Sequence, residues 1–157
     1  MQRQRGLTLL ELLVVLAIIG ITLAGVSLSL RTSPQAKLER EAQRLVAVLE
    51  AARAQSRTSG VPLMWQAHAE GFSITPVKPL AHKPHTPTPR TEAWLTAGTQ
   101  ATIDSPTPNA VMLGPEPILA PTRITLRLVD NANTQAASEV RVGTTGLAPF
   151  RVEPITP

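Results

Sequence analysis

The chain has 157 residues, is 43% hydrophobic, carries a formal net charge of +4 and contains no cysteine. That length suits one modest domain plus an N-terminal segment. The missing cysteines exclude a disulfide framework, a cysteine zinc site, a thiol nucleophile and a lipoprotein anchor.

Two of the basic residues, Arg3 and Arg5, lie within the first six positions, and the other arginines are scattered without a basic run. The charge alone is therefore a weak reason to expect a nucleic-acid partner. The apolar residues crowd into the first thirty positions, whereas all fifteen prolines fall from Pro34 onward. The second part of the chain is thus expected to consist of short elements.

Residues 12–30, LLVVLAIIGITLAGVSLSL, carry no charge. As a helix they would extend about 28 Å, close to the thickness of a bilayer's hydrocarbon core. The run is longer than the apolar region of a secretory signal, and no A-x-A cleavage site follows it. A chain this short has little with which to wrap a helix that is apolar on every face. The segment therefore reads as a membrane-spanning helix rather than a buried core helix. Basic residues flank it on both sides, Arg3 and Arg5 before and Arg31, Lys37, Arg40 and Arg44 after, so charge counting leaves its orientation open. Gly20 and Ala24 form a small-x-x-x-small pair, a weak signal for close helix contact.

Glu11 opens this apolar run. A carboxylate within a bilayer costs about 2.5–3.5 kcal/mol on insertion scales and persists where it has a partner. In the uncut chain it can reach the headgroups. A cut after Gly6 would instead make Leu7 a new N-terminus with a positive amine. Leu7 and Glu11 are four apart, on one helix face, and the acid would sit in the first turn, where the helix dipole favours negative charge. The amine of a neighbouring copy would serve equally well.

A basic leader, Gly6, an apolar residue, then Thr8-Leu9-Leu10-Glu11 and an apolar helix resembles the type IV prepilin signal. That signal is shared by type IV pilins and the pseudopilins of type II secretion. The resemblance implies that residues 1–6 are a leader removed by a prepilin peptidase on the cytoplasmic side. It implies that Leu7 becomes the N-methylated first residue and Glu11 the assembly contact. It further implies a single-pass protein of the bacterial inner membrane, with a cytoplasmic N-terminus, a hydrophobic helix over 7–30 and a periplasmic domain over 31–157. Leu7 departs from the phenylalanine usual at that position.

Ser33-Pro34 reads as an N-cap followed by a proline in the first helical turn. Leu38, Ala42, Leu45, Leu49 and Ala52 then step by four and three, the stripe of an amphipathic helix over about 34–58. Lys37, Glu39, Arg40, Glu41, Arg44 and Glu50 are assigned to the other faces. Gly60 is the expected stop, with Arg53 and Arg57 in the last turns. The prepilin-like plan would join both helical segments into one long N-terminal helix over 7–58; the alternative is a short independent helix after a linker.

A β-sheet region over about 61–157 follows. Residues 62–67 and 71–77 read as a hairpin, and 123–130 alternates cleanly, with Ile124, Leu126 and Leu128 on one face and Thr125 and Arg127 on the other. Residues 139–142 and 149–153 read as a closing antiparallel pair, and 131–135, NANTQ, as turn chemistry. The proline-rich stretches 76–91 and 104–121 are expected as exposed loops, with Trp94-Leu95 between them returning to the core.

No active-site pattern appears. His82 and His85 are spaced H-x-x-H but lie among prolines, without a third ligand nearby in sequence. Asp104 and Asp130 are the only aspartates, and no phosphate-binding loop, G-x-S-x-G or zincin motif is present. No enzyme activity, cofactor or metal is expected.

Glu41 to Pro62, Gly71-Phe72, Trp94-Leu95 and Gly146 to Phe150 resemble the minor pseudopilin H group, with its GspH/FimT-like domain. The apolar helix lacks the central proline and the chain lacks the calcium-site acids of major pseudopilins, which favours a minor subunit. The resemblance implies an α+β, type IV pilin-like fold, in which a long N-terminal helix has a hydrophobic transmembrane half and an amphipathic half packed on a C-terminal antiparallel β-sheet. It implies a minor pseudopilin of a type II secretion system, at or near the pseudopilus tip. Such a subunit helps start assembly and the secretion of folded proteins across the outer membrane. Its expected partners are the prepilin peptidase, other minor and major pseudopilins, inner-membrane lipid before assembly, and the secreted substrate; nucleic acid is not expected. The alternative is a minor pilin of a type IV pilus, of the FimT kind, some of which engage DNA. A third reading is a membrane-tethered binding domain that never assembles.

Overall fold

A computed structural model describes residues 9–29, 33–77, 87–107, 109–129 and 138–153, with side chains of the first helix described as far as Ile21. Contacts divide the chain into two units, 1–33 and 34–157. The first contains helix α1, Leu9–Ser29. The second contains helix α2, Pro34–Ser59, and eight strands. The expected junction between the helices falls on residues 30–32, outside the described residues.

Helix α2 begins with Pro34, whose missing N–H costs nothing in the first turn. It ends at Gly60, which has φ 64° and donates its N–H to the Ser56 carbonyl at 2.8 Å. This is a left-handed cap, a conformation that favours glycine. The expected stripe is the buried face: Leu38, Ala42, Leu45, Leu49 and Ala52 are all fully buried. Glu41, assigned to another face by sequence, is a correction: it too is fully buried. It lies three residues after Leu38 and four before Leu45, so it belongs to the same stripe.

The strands form two four-stranded antiparallel sheets. They are β1 Leu63–His68, β2 Gly71–Pro76, β3 Arg90–Ala93, β4 Thr99–Asp104, β5 Ala110–Leu113, β6 Thr122–Leu128, β7 Glu139–Thr144 and β8 Arg151–Glu153. The first sheet has the order β3-β2-β1-β5 and the second β4-β6-β7-β8. The expected hairpin is β1–β2, with Leu63 opposite Pro76 and His68 opposite Gly71. The expected closing pair is β7–β8, with Arg141 opposite Glu153. In β6, Ile124 and Leu126 are fully buried while Arg127 is exposed, as alternation requires.

Helix α2 lies against β6, β7 and β8 of the second sheet and against β1 and β5 of the first. Its stripe joins Leu63, Trp65, Phe72, Val111, Leu113, Ile124, Leu126, Val140 and Val142 in one core. Trp65, Phe72 and Trp94 form an aromatic chain, with ring centroids 5.9 and 5.3 Å apart. Tilted pairs of this kind add to area burial.

The two proline-rich stretches are only partly loops. β5 lies inside 104–121 and β3 begins inside 76–91. In β5, Ala110, Val111 and Leu113 are buried, and Leu63 to Gln66 of β1 supply its ladder. Prolines flank this four-residue edge strand without entering it, which a sheet tolerates. Trp94 does return to the core, but Leu95 is 60% exposed. Most of the first proline-rich loop, 78–86, and the turn at 131–135 lie outside the described residues.

Candidate assembly site

Two regions bear on assembly and on the shape of the domain: the apolar helix α1, which the sequence singles out, and the charged positions of α2, which it assigns only to the faces beside the apolar stripe. In α1 every described side chain is exposed. Leu9 is 81% exposed, and Leu12, Leu13, Leu16, Ile18 and Ile21 are all more than half exposed. Covering a side chain of this size contributes about 1.5–3 kcal/mol, so a contiguous set of them marks a surface that takes lipid or protein.

Glu11 lies in the first turn of α1, is exposed, and is the one charged residue among the described side chains of that helix. Its place at the positive end of the helix dipole suits a carboxylate. Gly6 and Leu7, the expected cleavage and methylation residues, lie outside the described residues. So do His82 and His85. The expected span over 12–30 extends beyond the last described side chain. Among the described residues no helix is long and apolar enough to cross a membrane.

Four charges of α2, Glu41, Arg44, Glu50 and Arg53, hold distant backbone groups, whereas Lys37, Glu39, Arg40 and Arg57 are exposed. Glu41 Oε2 accepts the Leu95 N–H at 2.6 Å, and its other oxygen lies 3.4 Å from Arg44 Nη1. Arg44 also donates to the Ala93 carbonyl at 2.9 Å, pairs with Glu92 at 2.7 Å, and stands 5.6 Å above the Phe72 ring. This network ties the end of β3 to the helix, and the Trp94 indole N–H, donating to the His68 carbonyl at 3.1 Å, ties it to β1.

Further along α2, Glu50 Oε1 accepts the Phe150 N–H at 2.8 Å. The nearly buried Arg53 donates to the Pro117 carbonyl at 2.8 Å and the Gly146 carbonyl at 3.4 Å. It thereby joins the loops that follow β5 and β7, which also share a Leu119 N–H to Gly146 carbonyl bond of 3.1 Å. Gly146 has φ 91°, and a side chain there would run into the Leu119 carbonyl, so this junction requires glycine.

Sequence reading missed the roles of Glu41 and Arg53. Their helical spacing from Leu38, Leu45 and Leu49 was the available signal, because it puts both on the buried stripe.

The outer face of the second sheet is laced with ion pairs. Glu139 is held by Arg127 and Arg141, each at 2.9 Å, and Glu153 pairs with Arg123 at 3.1 Å. Burial pulls the Glu139 carboxyl up, but hydrogen bonds from Arg141 and Arg127, with the two guanidinium charges, outweigh it and hold the carboxyl below its ordinary value of 4.5. An open groove of about 470 Å³ between α2 and this sheet is lined by Gln35, Glu39, Gln43, Glu139, Val140, Val152 and Glu153. Two of its three carboxylates are thus already engaged by arginine.

His68 Nε2 and Ser73 Oγ share a hydrogen bond of 2.7 Å across β1 and β2. Among the described residues no carboxylate hydrogen-bonds His68 to complete a nucleophilic triad, and no three His, Cys, Asp or Glu side chains gather to hold a metal.

Residues 1–27 match the family model described as a prokaryotic N-terminal methylation motif. That motif implies processing by a prepilin peptidase and a membrane-anchored N-terminus. No curated protein matches the chain. Among solved structures, the chain is similar to the type IV minor pilin FimU of Pseudomonas aeruginosa strain PAO1. The TM-score is 0.51 at 16% identity, over 74% of this chain and 88% of that one. An N-terminal methylation motif and an apolar first helix thus accompany a second helix packed on antiparallel sheets, and the chain has a type IV pilin-like fold.

Proposed function

We propose that the chain is a structural subunit of a pilin-type fibre, specifically a minor pseudopilin of a type II secretion system. The observation that carries this reading is the methylation motif over residues 1–27, joined to a pilin-like fold whose first helix is apolar and uncovered.

A prepilin peptidase cuts after Gly6, and Leu7 becomes the methylated N-terminus. Residues 7–30 hold the precursor in the inner membrane, N-terminus cytoplasmic, and residues 31–157 fold in the periplasm. On assembly the apolar helix exchanges lipid for the helices of other pseudopilins. Glu11 then leaves the membrane boundary for a drier setting and pairs with the Leu7 amine of a neighbouring subunit. An unpaired charge there costs several kcal/mol, so the pairing sets the axial register. The subunit works at or near the fibre tip, where it helps initiate assembly and meets the secreted substrate.

A second reading, a minor pilin of a type IV pilus, is favoured by the likeness to FimU.

Mass spectrometry of the native protein is expected to find methylated Leu7 as the first residue; an intact Met1 would overturn the proposal in favour of a tethered domain that does not assemble. Cross-linking in the same preparation is expected to capture pseudopilins, whereas capture of pilins selects the second reading. Steeply salt-dependent DNA affinity of the protein would also count for the pilus. Glu11→Ala is expected to abolish incorporation into the fibre while leaving cleavage intact. Unchanged incorporation would remove the register role.

A further inference from the structure

We draw no further inference here: the strongest candidate, the exposed apolar patch that Ile118 and Leu147 form on the Arg53-tied loops after β5 and β7, carries nothing because nothing in the structure shows what covers it.

Discussion

The two helices use apolar residues in opposite ways. α2 confines them to one stripe and buries that stripe completely against two sheets. α1 carries them on every face and exposes every described one. Helical propensity cannot account for the contrast, since Leu, Ala and Val occur in both. What differs is where the covering surface comes from. α2 finds it within the chain, whereas α1 requires lipid or other subunits.

The largest effect expected of a test is in α2. Leu45→Ala should cost about 2–5 kcal/mol, because it empties a fully buried position. Urea denaturation of the detergent-solubilised chain measures it, and a loss below about 1 kcal/mol would contradict the packing.

Next come the polar positions on the same stripe. Glu41→Ala leaves the Leu95 N–H without its acceptor and should cost about 1–3 kcal/mol. Glu41→Gln keeps an acceptor and should cost less. Trp94 adjoins Leu95, so tryptophan emission should shift to the red in Glu41→Ala before global unfolding. Arg53→Met removes the donor shared by two loops. It should cost a similar amount and expose peptide bonds near Pro117 and Gly146 to limited proteolysis.

A smaller effect is expected from Glu139. Its carboxyl is held below the ordinary value in the folded chain, so it contributes stability above that value. The contribution is lost as pH falls through the lowered one. Glu139→Gln should flatten this part of the stability–pH curve, and added salt should weaken it, because the partner arginines are partly exposed.

The smallest effect is the counterpart of the first. Leu16→Ala in α1 should change the unfolding free energy of the 34–157 unit by less than about 0.5 kcal/mol. A loss as large as that of Leu45→Ala would erase the contrast between the helices.

Much of this was legible along the chain. The stripe from Leu38 to Ala52, the Gly60 stop, the β1–β2 hairpin and the alternation in β6 all arise from local periodicity, which sequence records directly. β3, β4 and β5 were not legible. Ala110 to Leu113 is too short to declare a period, and the neighbouring prolines suggested a loop. Only the ladder offered by β1 makes that segment a strand.

The sequence by itself determined the uncharged run after Glu11 and the apolar stripe of α2 from Leu38 to Ala52, because each depends on residues within a few positions of one another. Tertiary structure decided what Glu41, Arg44, Glu50 and Arg53 do. Their partners lie between 48 and 100 residues away, at Leu95, Glu92, Phe150, Pro117 and Gly146. A charge on a helix is assigned to solvent until folding brings a distant backbone group within hydrogen-bond reach. Leaving that group buried and unpaired would cost about 1–3 kcal/mol, and the hydrogen bond that satisfies it offsets part of the cost of burying the charge.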